Sequence, residues 1–174
     1  EKGCMTLIDG ERQATLLAAL NRDFRCAKRA SGGSAANSVI AFSAFGGSAF
    51  YACKVSDDDN GAFYLHDLKA AGVGAPAHAR VPGGVTGTCV VMVTADAERT
   101  MNTHLGITAE MSAAELDLAK LEQARYLYIE GYLSTSDSAR HAVQTARAIA
   151  ATRGIRTALT FSDPAMVHYA RSGL

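Results

Sequence analysis

Two parts of the sequence alternate between short apolar runs and stretches with helical periodicity, and this order constrains the fold more than any other feature. In the first part, the apolar run 48–55 lies between the helical stretches 34–45 and 63–72. In the second part, the strand-like runs 125–132 and 155–161 alternate with further helical patterns. Such alternation predicts an α/β fold with a mainly parallel sheet and helices on both faces, which binds ligands beyond the carboxyl ends of its strands.

The helices of the first part have recognisable beginnings and ends. Asp9 is a suitable N-cap for a helix with an apolar stripe. The stripe consists of Ala14, Leu17, Ala18 and Leu20. A short extended segment at 24–27 then leads to the helix that begins at Ser34 and ends at Gly46 and Gly47.

The second part repeats the alternation. A helix is expected at 112–124, and Pro164 is expected as the first residue of a later helix capped by Ser162 or Asp163. Between them lies a helix that ends at Gly154 and has an apolar face. That face contains Ala139, Ala142, Val143, Ala146 and Ala150.

Between the two parts the pattern changes to a hairpin. Residues 77–87 are typical of a loop with a short strand, and strands at Thr88–Val93 and Arg99–His104 would be joined by a turn at 94–98. Alternation along the second strand puts Arg99 and Met101 on one face. A hairpin inserted into an α/β pattern predicts a cover over a binding site.

Composition and charge favour a small, neutral partner. The 174 residues contain 17 Lys and Arg against 17 Asp and Glu, so no excess of charge points to nucleic acid or a membrane surface. No apolar run approaches the roughly 18 residues of a membrane span. The four cysteines are widely spaced without a CxxC pair, which indicates reduced thiols in a cytoplasmic protein.

The stretch SGGSAAN, Ser31 to Asn37, places two glycines directly before a helix. Gly32 and Gly33 have no Cβ, so a ligand can approach their backbone closely at a helix start. The carboxamide of Asn37, three residues after the candidate cap Ser34, both donates and accepts hydrogen bonds, which suits paired sugar hydroxyls better than phosphate. Neither GxxxxGK nor GxGxxG spacing is present. A purely structural turn is the alternative for these residues.

The acidic turn SDDDNG, residues 56–61, also has two interpretations. The spacing of Asp58, Asn60, Gly61 and Asp67 resembles part of an EF-hand calcium loop. Residues after Gly61 have a helical pattern, however, and acidic side chains are favourable at the start of a helix. We therefore favour an acidic helix start over a calcium site.

Two further segments carry candidate binding residues. Arg99 on the hairpin could clamp a phosphate during group transfer, or be a solvated surface arginine. The run YIEGYL places Glu130 and Gly131 at the ligand edge of a parallel sheet. Tyr132 and Leu133 would then either form an apolar wall for a flat ring or fill the core. The histidines show no metal-binding or catalytic spacing.

Four segments in a fixed order resemble one known family. They are SGGSAANSVIAFSAFGG, VSDDDNGAFYLHDLKAAGV, TGTCVVMVTADAERTMNTHLG and YIEGYLSTSD. Together they are similar to the ribokinase (PfkB) family of carbohydrate kinases, and most similar to its adenosine-kinase-like branch. The resemblance covers nearly the whole chain and implies a ribokinase-like fold with a small β lid.

The resemblance also implies roles for individual residues. Gly32, Gly33 and Asn37 would hold sugar hydroxyls, and Arg99 would lie toward the transferred phosphoryl group. Met101 would contact the substrate, and Tyr132 and Leu133 would line a base or aglycone pocket. The reaction implied is transfer of the γ-phosphoryl group of ATP, with Mg²⁺, to a primary hydroxyl of a sugar or nucleoside. Family members sometimes form homodimers through the lid.

The resemblance leaves the catalytic half of the family unmatched. The NxxE motif, the glycine-rich anion hole and the GAGD or DTxGD aspartate do not occur in this sequence. We therefore expect a partial domain, with lid segments at about 1–8 and 77–104, an α/β core at 9–76 and 105–174, and an absent nucleotide-binding half. Two interpretations follow: the acceptor-binding piece of an active kinase, which is favoured, or a non-catalytic binding or scaffolding remnant.

Overall fold

A computed structural model of the chain has helices and strands in the order that the alternation predicts. The structure describes residues 2–24, 28–162 and 164–169. The helices are α1 (Gly10–Asp23), α2 (Ser34–Ala44), α3 (Asp59–Ala70), α4 (Leu118–Glu122), α5 (Asp137–Thr152) and α6 (Pro164–Tyr169). Short 3-10 helices lie at Ile107–Glu110, Ala113–Glu115 and Gly131–Thr135.

The strands form one antiparallel hairpin with an added strand, and several parallel pairs. They are β1 (Met5–Leu7), β2 (Ala49–Phe50), β3 (Val55–Ser56), β4 (Val73–Gly74), β5 (Arg80–Val81), β6 (Thr86–Val93), β7 (Arg99–Gly106), β8 (Tyr126–Glu130) and β9 (Arg156–Thr160). Parallel pairs join β2 to β4, β3 to β5 and β8 to β9. Parallel strands separated by helices confirm the predicted α/β class.

The hydrophobic core lies where α2 and α3 pack on the first parallel strands. Leu68 of α3 and Ala36 of α2 are fully buried. Cys53, Val73 and Ala79 complete the buried cluster. Small residues such as Ala36 let the two helices approach the strands closely, so the start of α2 is held against the sheet.

Helix α5 matches its predicted apolar face at the four alanines, whereas Val143 of that face is half-buried. Ser136 caps the helix and accepts a hydrogen bond from the backbone N–H of Ala139 at 3.3 Å. The buried residues are Ala139, Ala142, Ala146 and Ala150. Their spacing of three or four residues places them on one face, and this face covers β8 and β9 as the apolar pattern predicts.

The hairpin is also confirmed, and a third strand extends it. β6 and β7 are antiparallel, with Val93 opposite Arg99, and β1 pairs with β7 in parallel, with Met5 opposite Met101. The turn is closed by a hydrogen bond from the Thr94 N–H to the Glu98 carbonyl at 3.0 Å. We call β1, β7 and β6 the three-stranded sheet.

The predicted apolar stripe of α1 is not buried. Leu17 is 40% exposed, and the buried residue of the helix is Gln13. The Gln13 carboxamide donates to the Thr88 carbonyl at 3.2 Å and accepts from the Thr88 hydroxyl at 2.9 Å. The contact between α1 and the three-stranded sheet is therefore polar. The N-cap of α1 is as predicted, because Asp9 accepts a hydrogen bond from the Arg12 N–H at 2.8 Å.

The prediction of a single helix at 112–124 is wrong. The chain instead forms the 3-10 helix Ala113–Glu115, extends at Leu116, and begins α4 after the N-cap Asp117. Glu115 is the cause, because its buried carboxylate turns back to Ser112 and lies 3.5 Å from the ammonium of Lys54. A contact with a residue so far away along the chain overrides the local helical pattern.

Smaller differences concern strand lengths and caps. The run 48–55 contains two strands, β2 and β3, because each pairs with a different partner strand. Gly33, not Ser34, is the N-cap residue of α2, and it provides no side-chain cap. Phe24 is extended as predicted, but residues 25–27 and Asp163 lie outside the described residues.

Candidate functional site

The glycine loop, residues 31–33, presents open backbone at the start of α2. Gly33 has φ +106°, in a region that favours glycine. Apart from its chain neighbours, a Cβ built at either Gly32 or Gly33 would meet no atom of the described residues within 4 Å. Asn37, one helical turn further on, has an exposed side chain. Its backbone N–H donates to the Gly33 carbonyl at 2.9 Å. The three residues predicted to bind hydroxyls are thus all exposed and lie within one helical turn of each other.

The same loop is fastened on its inner side by α3. Ser31 is buried, and its hydroxyl donates to the Asp67 carboxylate. The Ser31 N–H donates to the same carboxylate oxygen at 2.7 Å. Because these hydrogen bonds stabilise the charged form, they hold the pKa of Asp67 below its usual value. The Tyr64 hydroxyl donates to the Gly32 carbonyl at 3.1 Å.

A buried carboxylate lies at the carboxyl end of β8. Glu130 is 9% exposed, and its Oε1 accepts a hydrogen bond from the Ser162 hydroxyl. Its Oε2 is buried without a hydrogen-bond partner among the described residues. An unpaired buried carboxylate oxygen is costly, so it is a typical acceptor for a ligand hydroxyl or amine. Sequence reasoning placed Glu130 at the ligand edge but did not select it as a site residue.

Two half-buried tyrosines, Tyr51 and Tyr64, pack against the hydrophobic core. Burial, with a further contribution from Cys53, raises the pKa of Tyr51 to about 12, and the negative charge of Glu130 acts in the same direction. Burial also raises the pKa of Tyr64. The hydroxyls of Tyr51 and Tyr64 interact, and the Tyr64 hydroxyl is the one that bonds the Gly32 carbonyl.

One face of the three-stranded sheet is open. Strand pairing aligns Met101 with Met5 on one side and Val91 on the other, and these three side chains therefore share a face. Met5 is 43% and Val91 47% exposed. Arg99 lies on the same face near the turn, and it is exposed. The opposite face carries Thr88, which bonds Gln13 of α1.

The remaining predicted residues lie in the 3-10 helix after β8. Tyr132 is 37% exposed, whereas Leu133 is half-buried. The Tyr132 N–H donates to the Ser162 hydroxyl at 3.1 Å, next to the Glu130 carboxylate. The structure therefore brings Tyr132 close to a buried polar group that the sequence pattern alone did not identify as a site.

A cleft of about 610 Å³ lies where the three-stranded sheet meets residues 82–85. Its lining includes Leu7, Thr103, His104, Ile107 and Glu110. None of the seven residues predicted as site residues lines it. The cleft was missed because its walls come from three distant parts of the chain, and each part alone has an ordinary loop or strand pattern.

The acidic turn forms a helix start, as favoured above. Asp58 is the N-cap of α3 and accepts a hydrogen bond from the Gly61 N–H at 2.7 Å. Within the described ranges, no group of three or more His, Cys, Asp or Glu side chains is arranged to hold a metal ion. No helix in the described part of the chain is long and apolar enough to span a membrane.

Comparison with known proteins identifies the class. Parallel strand–helix units with an added small sheet and an open glycine loop define a ribokinase-like α/β fold, which solved kinases share. The family model described as "pfkB family carbohydrate kinase" matches residues 7–174. The chain therefore belongs to the pfkB family of carbohydrate kinases.

Two solved structures combine high structural similarity with substantial sequence identity. The adenosine kinase from Sinorhizobium meliloti is 36% identical, with a TM-score of 0.87, over 99% of this chain and 51% of that chain. A probable sugar kinase from Rhizobium etli CFN 42 is 32% identical, with a TM-score of 0.88, over 99% and 51%. The chain thus spans about half the length of the solved structures it matches.

More distant similarity supports the fold alone. The adenosine kinase from Schistosoma mansoni, solved with adenosine, is 16% identical with a TM-score of 0.82, over 99% of this chain and 50% of that chain. No curated protein matches the chain.

Proposed function

We propose that this chain provides the acceptor-binding part of an ATP-dependent kinase that phosphorylates the hydroxymethyl group of a sugar or nucleoside. The observation that carries the proposal is the open glycine loop, where a Cβ on Gly32 or Gly33 would have only its chain neighbours, of the residues that the structure describes, within 4 Å. Its inner side is hydrogen-bonded to α3. Such a loop is open and held in place, as a binding surface for hydroxyls must be.

Each predicted residue has a role in this proposal. The amides of Gly32 and Gly33 and the carboxamide of Asn37 bind vicinal hydroxyls. The unpaired Oε2 of Glu130 accepts a hydrogen bond from a further hydroxyl or amine. Tyr132 and Leu133 form the apolar wall beside it.

The three-stranded sheet acts as a lid in this proposal. Its open apolar face, which contains Met5 and Met101, would lie over a flat ring and exclude water. Arg99 at its rim would approach the transferred phosphoryl group. The lid segments at about 1–8 and 77–104 and the core at 9–76 and 105–174 are part of the same proposal.

ATP and Mg²⁺ would be the cofactors of the complete enzyme. Among the described residues, no three or more His, Cys, Asp or Glu side chains are grouped around a possible metal position. The proposal therefore assigns acceptor binding and orientation to this chain and no step of phosphoryl transfer. A non-catalytic binding or scaffolding role is the alternative, and an ATP-consumption assay with adenosine and ribose distinguishes the two.

We also propose that the protein forms a homodimer through the lid. β1 and β6 are the outer strands of the three-stranded sheet, and outer strands can pair with a second copy. Sedimentation equilibrium tests this, and a monomer across the micromolar range would contradict it.

Calorimetric titration with adenosine, with ribose as the second probe, tests acceptor binding. Gly32→Ala should fold normally, because Gly32 does not have positive φ and its Cβ would meet nothing in the protein. It should nevertheless weaken binding at least about tenfold, because the new methyl group occupies the space of the ligand. Unchanged affinity would remove the loop from the binding site.

Asn37→Ala should weaken binding by about 1–3 kcal/mol through an unpaired ligand hydroxyl. Asn21→Ala is the matched control, since Asn21 is an exposed asparagine on α1. Equal affinities of the two variants would argue against a role for Asn37.

A further inference from the structure

Helix α3 contacts the segment before the glycine loop along one side. The Arg29 guanidinium donates to the Asp59 carbonyl at 3.1 Å and to the Asn60 Oδ1 at 2.5 Å. It also lies over the Phe63 ring, 4.1 Å from the ring centroid. Arg29 is thereby held by three groups in the first turns of the helix.

The contacts continue along the same side of α3 toward the loop. Tyr64 bonds the Gly32 carbonyl, and Asp67 bonds both the N–H and the hydroxyl of Ser31. Residues 60, 63, 64 and 67 follow the three- and four-residue spacing of one helical face. One face of α3 thus contacts Arg29, Ser31 and Gly32.

The position of α3 itself is fixed by the core. Leu68, next to Asp67, is fully buried in the main hydrophobic cluster. Asp58 at the other end caps the helix and also bonds Thr86. A helix anchored at both ends is a rigid template, and groups bonded to it have little freedom to move.

Burial changes sharply between adjacent residues of the loop. Ser31 is buried, whereas Gly32 and Gly33 are exposed. Gly33 has positive φ, which glycine adopts easily, and an unrestrained glycine has more accessible backbone conformations than any other residue. The hydrogen bonds to Ser31 and Gly32 therefore restrain the backbone of the two glycines.

We propose that α3 acts as the template of the glycine loop, with Asp67 and Tyr64 as positioning residues that hold Gly32 and Gly33 in the geometry that receives the acceptor. This inference rests on the proposed function for the identity of the ligand. The template itself concerns the free protein, so the two ideas can fail separately.

Backbone order parameters of Gly32 and Gly33, measured by ¹⁵N relaxation, test the template without any ligand. We expect order parameters of about 0.85 in the wild type and of about 0.6 or lower in Asp67→Ala. Asp67→Asn should restore most of the order, because a carboxamide oxygen can accept the same two hydrogen bonds. Asp59→Ala is the control, since its exposed side chain bonds no described residue. Unchanged order in Asp67→Ala would overturn the inference.

A second variant keeps the test decisive if Asp67→Ala does not fold. Ser31→Ala removes only the hydroxyl that bonds Asp67. It should lower the order parameters of Gly32 and Gly33 in the same direction but by less. Equal order in Ser31→Ala and the wild type would count against the template.

Adenosine affinity then tests whether loop order matters for binding. Tyr64→Phe should weaken binding about three- to tenfold, as expected for one hydrogen bond, at a temperature at which circular dichroism shows a fully folded protein. Tyr128→Phe, on the exposed side of β8, should not change it. A purely structural role of Tyr64 would lower the melting temperature and leave the affinity of the folded protein unchanged, which would overturn its positioning role.

The two tests separate the two ideas. If the wild type binds neither adenosine nor ribose, the proposed function fails, and the order parameters alone decide whether α3 is a template. If order is lost in Asp67→Ala but affinity is retained, the acceptor-binding proposal survives and the positioning inference fails.

Discussion

Two acidic turns in the chain look alike in sequence but are embedded differently. Residues 56–61 read SDDDNG and residues 94–98 read TADAE. In both turns one aspartate accepts several hydrogen bonds, and in both its pKa lies below the usual value. The hydrogen-bond partners of the two aspartates differ, however. Asp58 joins separate elements of the fold, whereas Asp96 bonds groups at the surface.

Asp58, in the first turn, connects distant parts of the chain. It accepts from the Gly61 N–H at 2.7 Å, the Thr86 N–H at 2.8 Å and the Thr86 hydroxyl at 2.6 Å. Burial acts to raise the pKa of Asp58, but the bonds from Thr86 and Gly61 outweigh it, with a smaller effect of Arg80. One carboxylate thus joins the start of α3 to the start of β6.

Asp96, in the second turn, has partners that lie at the surface. The ammonium of Lys2 has the largest effect in lowering the pKa of Asp96, followed by the Thr94 hydroxyl. Thr94 donates to Asp96 at 2.6 Å, and Lys2 lies at 2.5 Å with both side chains more than half exposed. Water can replace these partners, so we expect this turn to tolerate substitution.

The largest expected effect is at Gly61 in the first turn. A Cβ in Gly61→Ala would lie 2.1 Å from the Ser56 carbonyl oxygen and 3.0 Å from the Thr86 hydroxyl. We expect a loss of about 3 kcal/mol in the free energy of unfolding, because the backbone at Ser56 and the start of α3 must move apart to admit the methyl group. Urea denaturation measures this. A loss below about 1 kcal/mol would show that the first turn is as tolerant as the second.

Asp58→Asn should have an intermediate and pH-dependent effect. The folded protein lowers the pKa of Asp58, so its contribution to stability is present above the unfolded value, near about 3.9, and is lost as the pH falls through the folded value. We expect a deficit of about 1–2 kcal/mol at pH 6 that shrinks toward pH 3.

Urea unfolding at both pH values measures this deficit, with Asp59→Asn as the control. A deficit in Asp58→Asn that stays constant with pH would contradict the charge-based explanation.

The smallest effect is expected at the second turn. Lys2→Ala removes the exposed ion pair with Asp96, and such pairs contribute little to stability because water and salt screen them. The melting temperature should change by no more than about 2 °C. A shift comparable to that of Asp58→Asn would remove the contrast between the turns.

The sequence predicts features that depend on near neighbours. The alanine spacing of α5, the Asp9 cap and the hairpin with its 94–98 turn are as expected, because each follows from periodicity or local hydrogen bonding. The family resemblance also follows from the sequence, because its four motifs occur in order. Gly32, Gly33 and Asn37 are exposed, and their role in binding stays a prediction.

Features that depend on distant contacts could not be predicted. Lys54 draws Glu115 inward and breaks the expected helix at 112–124, and nothing near Ser112 announces this. The unpaired oxygen of Glu130 is likewise evident only when β8 and Ser162 are in place. The contacts of α3 with the glycine loop have the same character.

The parallel pairing of β1 with β7 has a consequence for how the chain folds. Gly3 and Thr100, which bond at the end of this pair, are 97 residues apart in sequence. The β6–β7 hairpin can form early from near neighbours, whereas β1 must wait until most of the intervening chain is compact. We expect the first residues to be the last to gain hydrogen-exchange protection during refolding, and the first to lose it when the protein opens.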